Sequence, residues 1–290
     1  MENDIYKNRS ISACIKASFD VLTINFATIF KKTWLGSLAW AICLTALVFF
    51  FGKFALTVTA NEPSVWATAI PTLCALLLSL TASSYMAANI VTLLFKHALK
   101  PVFLRAFITI ILLTVLSLAA LILVPEVSKG LAQLLSTGKL LSPIQAVIAG
   151  VVLFGLIILA ILAFMLPLGY SLTHYICTPK AKLIQAFGKD YKVGLHHWGF
   201  LFIGQILTIF CAIIPLTILA LPLSILFMAY GYNLWGMLTL ADPDGLPAYF
   251  VPMMIAFVGI ICFIASYIFT FGVFTNIYVY GSINQQINSK

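Results

Sequence analysis

Three polar side chains interrupt the long apolar runs of the sequence, and they are the best candidates for chemistry. Asn89, His174 and Asn276 each stand near the end of such a run, and Thr275 precedes the last of them. Polar groups at membrane depth are costly, so they usually face the protein interior or a water-filled cavity. If the runs pack around a common axis, these side chains would line a cavity for a lipid headgroup or a small polar ligand. Hydrogen bonds between helices, worth about 0.6 kcal/mol per contact, are the alternative interpretation.

A second set of candidates carries positive charge beside the apolar runs. It comprises Lys31, Lys32, Lys96, Lys100, Arg105, Lys180 and Lys182. Clusters of this kind attract anionic lipid at about 1 kcal/mol per residue near the membrane surface. The same residues are also expected as topology signals, because cytoplasmic loops are rich in lysine and arginine. We predict that they contact anionic lipids, with orientation as the alternative explanation.

The sequence contains no recognisable catalytic or metal-binding motif. It has no glycine-rich phosphate loop, no HExxH and no GxSxG. The six cysteines show neither a CxxC pair nor metal-ligand spacing, and the adjacent His196 and His197 would point in different directions on a helix. Asp242 and Asp244 stand in a turn-like sequence that lacks the downstream glutamate of a calcium loop. We expect a protein without catalytic activity, without a cofactor and without a metal.

Composition indicates the class of protein that must position these residues. Hydrophobic residues make up 62% of the chain, charged residues only 8%, and the mean hydropathy is +1.10. Soluble domains carry about 25% charged residues. The apolar runs do not alternate with polar residues as the strands of a membrane barrel do, and helices satisfy their own backbone hydrogen bonds in lipid. The sequence predicts an all-α polytopic membrane protein, and we expect no nucleic-acid partner.

Six transmembrane helices account for the apolar runs, since a bilayer core requires about 20 residues of helix. Their predicted bounds are 34–58, 67–95, 103–125, 144–176, 199–230 and 250–281. Prolines remove a backbone donor from a helix, so kinks are expected at Pro71, Pro167, Pro215, Pro222 and Pro252.

Lysine and arginine fall almost entirely on one side of these spans. Of the sixteen, thirteen lie on that side, and the other side holds only Lys53, Lys129 and Lys139. The side richer in lysine and arginine is cytoplasmic. We predict a multi-pass protein of the bacterial cytoplasmic (inner) membrane, with its N-terminus and its C-terminus in the cytoplasm.

The predicted spans form three repeats of an interfacial elbow followed by a helical hairpin, over about 10–95, 96–178 and 179–290. The first elbow is an amphipathic helix with Ser10 as its N-cap. We expect one integral membrane domain over 1–290. Its parts are a cytoplasmic N-terminus with the amphipathic helix over 1–33, the six spans over 34–281 and a cytoplasmic tail over 282–290.

The first elbow carries a resemblance to a known family. Ser10, Phe19, Asn25-Phe26 and Trp34 mark an interfacial helix that leads into six spans. In this respect the chain resembles bacterial inner-membrane proteins related to YciC, and it is similar to the membrane domain attached to some glycerophosphodiester phosphodiesterases. The resemblance covers the N-terminal elbow best and the rest by architecture. It implies a part in envelope or membrane-lipid homeostasis, and it supplies no catalytic residues.

The sequence therefore favours a non-enzymatic inner-membrane protein that binds lipid or a membrane partner. Membrane lipids are the expected ligands, and a second membrane protein is the other expected partner. A small uncoupled transporter, or a permease subunit driven by a partner, is the first alternative. A structural scaffold, whose cavity is filled by side chains, is the second.

Overall fold

The chain is helical almost throughout, as expected where backbone groups lack water and must bond within their own segment. The computed structural model describes residues 2–59, 65–137, 142–240 and 245–289, and no strand occurs among them. The helices of these residues are α1 (Glu2–Ile5), α2 (Ile11–Ile24), α3 (Phe26–Thr59), α4 (Val65–Phe95), α5 (Leu99–Thr137), α6 (Pro143–Cys177), α7 (Leu183–Phe187), α8 (Lys189–His196), α9 (Trp198–Trp235) and α10 (Phe250–Asn288). A π-helical segment, Gly236–Leu240, follows α9.

Six of these helices are long and apolar enough to cross a membrane, namely α3, α4, α5, α6, α9 and α10. Their apolar stretches run from 31 to 39 residues, well above the about 20 that a bilayer core needs. The predicted all-α polytopic membrane fold with six spans is confirmed. Glu62, Lys139, Asp242, Asp244 and Lys290, on which parts of the orientation and turn predictions rest, lie outside the described residues.

Several predicted helix bounds were wrong. The first span begins at Phe26, not at residue 34, so the elbow before it is shorter than expected. The third span was expected to end at Pro125, but α5 contains this proline and continues to Thr137. Pro252 was expected to kink the last span, but it lies in the first turn of α10, where backbone N–H groups have no helical partner and proline costs little.

The described chain forms two compact units. The first comprises Met1–Leu104 and Gly204–Lys290, and the second comprises Arg105–Ile203. In the first unit α3 and α4 form an extensively packed hairpin, and α10 contacts α1, α2, α3 and α4. In the second unit α6 packs against α7 and α8. The predicted single domain over 1–290 stays a prediction.

The N-terminal segment of the first unit is held on the last turns of α10. Ile5 is fully buried, and a Cβ atom on Gly281 would lie only 2.4 Å from the Ile5 carbonyl oxygen. The Arg9 N–H donates to Ser282 Oγ at 3.0 Å, and the Ser282 hydroxyl donates back to the Arg9 carbonyl at 3.0 Å. The guanidinium of Arg9 also lies 5.2 Å from the ring centroid of Tyr278. Both ends of the chain are thus joined in one unit.

Side chains next to this junction support it. Lys7 and Arg9 form ion pairs with Asp4 at 2.6 and 3.0 Å. The hydrogen bond from Lys7 is the main reason why the pKa of the Asp4 carboxyl lies below its ordinary value. Ser10 then caps α2 by accepting the Ala13 N–H, which confirms the predicted N-cap.

The first and third elbows, which lead into α3 and α9, end with the same backbone geometry. Asn25 closes α2 with φ −102° and ψ 18°, and His197 closes α8 with φ −102° and ψ 23°. A spanning helix begins at the next residue in both cases, at Phe26 and at Trp198. These two elbows therefore share the backbone conformation of the residue that leads into each span. The threefold repeat as a whole stays a prediction.

Candidate functional site

The predicted polar triplet is divided between the two units. Asn89, Thr275 and Asn276 belong to the first unit, and His174 belongs to the second. Asn276 is exposed, whereas Thr275 is buried and donates its hydroxyl to the Phe271 carbonyl within α10. Thr275 therefore has no free donor for a ligand. The common cavity predicted for the four side chains stays a prediction.

Asn89 is the most deeply buried amide of the candidate set. It is 8% exposed, and the neighbours Ala88 and Ile90 are fully buried, so this turn of α4 is covered on every side. Its Nδ2 atom has no hydrogen-bond partner among the described residues. A buried amide donor without a partner costs about 1–3 kcal/mol. Asn89 is consequently the one residue of the first-unit set that retains an unsatisfied polar atom.

In the second unit, His174 lies beside a carboxylate that the sequence prediction did not include. His174 is half-buried near the C-terminal end of α6, and its Nδ1 atom lies 3.4 Å from the Thr178 hydroxyl. Asp190, in the first turn of α8, interacts electrostatically with the His174 ring. The Asp190 Oδ2 atom is buried and has no hydrogen-bond partner among the described residues. The Oδ2 atom of Asp190 can therefore accept a hydrogen bond from a bound molecule.

Asp190 has a sequence signal that could have found it. It is an acid in the first turn of an elbow helix, and an acid there is stabilised by the positive end of the helix dipole. The elbow begins within a few residues of the end of α6, so it returns to the turn that carries His174. Only the packing of α8 on α6 shows that the two side chains meet.

Arg105 organises the same end of α6. Its guanidinium donates to the carbonyls of Tyr175, at 3.0 Å, and of Thr178 and Pro179, and it lies 5.2 Å from the Tyr175 ring centroid. The last carbonyls of a helix lack intrahelical donors and carry partial negative charge, so a guanidinium stabilises them. Arg105 therefore ties α5 to the turn after α6. We name Arg105, Lys180 and Lys182 the α6-end cluster.

The predicted lysine contacts all reach the surface of their units. Lys180 and Lys182 are exposed on the turn that Arg105 holds, and Lys31 and Lys32 are exposed on α3. Their side chains form no ion pair among the described residues, where Asp4 is the only carboxylate in an ion pair with a lysine or arginine side chain. These four ammonium groups are free to meet an external anion.

The other two lysines lie at the turn between α4 and α5. Lys96 and Lys100 are exposed, and Lys96 adopts φ 54°. That left-handed conformation is unusual for a residue other than glycine and typical of the position just after a helix. Lys96 thus ends α4 and directs the chain into α5, in addition to carrying a charge.

A proline in α6 leaves a backbone carbonyl without its helical donor, and the third elbow, over α7 and α8, is packed at this point. Pro167 has no N–H, so the Ala163 carbonyl, four residues earlier, loses its helical donor. The Trp198 indole donates to that carbonyl at 3.1 Å, and the Tyr191 hydroxyl donates to the adjacent Phe164 carbonyl at 3.1 Å. The backbone of Gly194 lies against Pro167, where a Cβ atom would approach the proline carbonyl oxygen to 2.7 Å. This contact fixes α8, and Asp190 with it, on α6.

Among the described residues, no group of three His, Cys, Asp or Glu side chains is close enough to hold a metal ion. His196 and His197 stack edge to face with ring centroids 5.3 Å apart. Comparisons of the chain with protein-family models, with curated proteins and with solved structures found no match. The geometry of the second unit therefore carries the functional argument.

Proposed function

We propose that this protein is a non-enzymatic, multi-pass protein of the bacterial inner membrane that binds anionic lipid headgroups through the α6-end cluster. The supporting observation is the Arg105 contact, because it fixes the turn on which Lys180 and Lys182 stand exposed. A rigid turn spares a bound phosphate the entropy of ordering the residues that contact it.

The proposal includes an orientation. Both termini lie in the cytoplasm, and the α6-end cluster faces the inner leaflet. Anionic lipids give the cytoplasmic leaflet its negative surface potential, so basic residues beside a span are attracted to it. The role in envelope or membrane-lipid homeostasis that follows from the family resemblance belongs to the same proposal.

The test compares two pairs of lysines in the same unit. Lys180→Gln with Lys182→Gln neutralises the cluster, and Lys189→Gln with Lys192→Gln removes the same charge from exposed positions on α8. Native mass spectrometry of each protein from nanodiscs of phosphatidylglycerol and phosphatidylcholine gives the fraction that retains phosphatidylglycerol. We expect the first pair to reduce retention at least fivefold, because each lysine contributes about 1 kcal/mol near an anionic surface.

The control pair decides between a site and a diffuse charge effect. It should reduce retention less than twofold, because these lysines stand outside the turn that Arg105 holds. Equal losses for both pairs would show general attraction by all elbow lysines. No loss for either pair would end the headgroup proposal and favour a protein partner or a scaffold.

A further inference from the structure

A groove near the C-terminal end of α3, away from Lys31 and Lys32, indicates a second site. It has a volume of about 380 Å³ and lies between α3, α9 and α10 of the first unit. Its walls are mainly aliphatic and aromatic, with Phe49, Phe227 and Ile255 from the three helices. A neighbouring groove of about 660 Å³ between α3 and α10 shares Thr45, Phe49 and Ile255 with it. The two grooves are therefore adjacent along α3.

The length of the smaller groove matches that of an acyl chain. The smaller groove follows α3 from Thr45 to Leu56, about 17 Å at 1.5 Å per residue. The hydrocarbon of one leaflet is about 15 Å deep, half of a bilayer core of about 30 Å. The smaller groove therefore has the length of an acyl chain within one leaflet.

One positive charge stands on the wall of this groove. Lys53 is exposed, and its ammonium lies 4.6 Å from the ring centroid of Phe49, within the range of a cation–π contact. No carboxylate lies within ion-pair distance of Lys53 among the residues that the structure describes. An apolar groove with an unneutralised ammonium near its end is complementary to an amphiphile with an anionic head.

We propose that this groove binds an anionic phospholipid, with one acyl chain along α3 and the phosphate at Lys53. The site differs from the α6-end cluster, because Lys53 belongs to the first unit and the cluster belongs to the second. Lys53 also lies on α3 21 residues beyond Lys32, about 32 Å along the helix. The site does not depend on the lysines of the elbows. In the proposed orientation it serves the outer leaflet.

One glycine allows the groove to be filled without a clash, and a second glycine provides the control. A Cβ atom on Gly52, which lines the groove, would meet no atom within 4 Å, and the same holds for Gly155 in α6 of the second unit. Gly52→Leu therefore places an aliphatic side chain at the groove, and Gly155→Leu is the matched control. Lys53→Gln removes the charge, and Lys53→Arg keeps it. Lys189→Gln is the control, at an exposed position on α8 that lines neither of the two grooves.

The experiment uses the full chain that also carries Lys180→Gln and Lys182→Gln, so that lipid at the α6-end cluster does not contribute. Native mass spectrometry from nanodiscs of phosphatidylglycerol and phosphatidylcholine reports the retained lipid. We expect Lys53→Gln to reduce phosphatidylglycerol retention about fivefold, the fold-change that corresponds to about 1 kcal/mol for one charge. Gly52→Leu should reduce retention of both lipids, because it blocks the chain and not the headgroup.

The proposal fails if Lys53→Gln behaves like Lys189→Gln, or if Gly52→Leu behaves like Gly155→Leu. If Gly52→Leu does not give a monodisperse protein, the Lys53 series alone decides. Retention must then be kept by Lys53→Arg and lost by Lys53→Gln, and any other order overturns the proposal.

Discussion

At the scale of single residues, Pro167 and Trp198 form a matched pair. The proline removes the donor of the Ala163 carbonyl, and the indole replaces it from another helix. Transmembrane helices tolerate proline where neighbouring groups satisfy the freed backbone atoms in this way. Trp198 therefore has a specific backbone partner in α6.

This pair predicts a coupling that a double-mutant cycle can measure. Trp198→Phe keeps the aromatic ring but leaves the Ala163 carbonyl without its donor, so the free energy of unfolding should fall by about 1–3 kcal/mol. Pro167→Ala restores the N–H of residue 167, so the same tryptophan substitution should cost at least about 0.5 kcal/mol less in that background. Thermal or denaturant unfolding in detergent gives the four stabilities.

Trp66→Phe serves as the control, because Trp66 is 76% exposed on α4 and its indole forms no hydrogen bond within the described structure. Its effect should stay below about 0.5 kcal/mol. Additive costs for Trp198→Phe and Pro167→Ala would mean that the indole does not compensate for the proline.

At the scale of elements, the contact between the N-terminal segment and α10 closes the first unit. Ile5 fills the space above Gly281, and α2 covers the next turns of α10, where the Cys14 thiol is fully buried and donates to the Tyr278 carbonyl at 3.7 Å. Burial also raises the pKa of the Cys14 thiol, so little reactive thiolate forms at neutral pH. Cys14 therefore reports whether this contact is closed.

The corresponding prediction concerns the rate of thiol labelling. In a chain whose only cysteine is Cys14, Gly281→Leu should displace the N-terminal segment, because its Cβ would overlap the Ile5 carbonyl. Labelling by a water-soluble maleimide should then be about tenfold faster, since the thiolate becomes accessible more often. Gly272→Leu, on the same helix with no atom within 4 Å of its Cβ, should leave the rate unchanged. Slow labelling of both variants would contradict the proposed closure.

Several elements were predicted from the sequence, whereas contacts between helices were not. Hydropathy predicted the six spans, because a long apolar segment in lipid must form a helix to satisfy its own backbone hydrogen bonds. Ser10 was predicted because N-caps have a local sequence signature. The continuation of α5 past Pro125 was missed, because proline disfavours a helix only locally and surrounding residues can outweigh it. Asp190 was missed as a neighbour of His174, and Arg105 as a donor to carbonyls, because both contacts depend on how separate helices pack on one another.

At the scale of the whole molecule, the distribution of charge predicts topology. Excess lysine and arginine mark the cytoplasmic side, and the exposed lysines at the α6-end cluster and at Lys31 and Lys32 follow that pattern. In the proposed orientation, the α6-end cluster lies at the inner leaflet and Lys53 lies towards the outer one. The two proposed lipid sites would thus serve different leaflets.

Reporter fusions test the orientation directly. A fluorescent protein that matures only in the cytoplasm should be bright when fused to the N-terminus or to the C-terminus. A phosphatase that is active only outside the cytoplasm should be inactive at both ends and active when the chain is truncated after residue 139. An active phosphatase at the C-terminus would contradict the predicted orientation. The leaflets assigned to the two sites would then have to be exchanged.

The junction between Arg9 and Ser282 has a consequence for the order of synthesis. The two residues are 273 positions apart, so at about 5–20 residues per second the partner of Arg9 leaves the ribosome roughly 14–55 s after Arg9 itself. The second unit, a continuous segment, is complete well before the first. During that interval Ile5 and Cys14 lack the surface that buries them, and the nascent chain has an unoccupied N-terminal segment available to a chaperone or to the membrane surface.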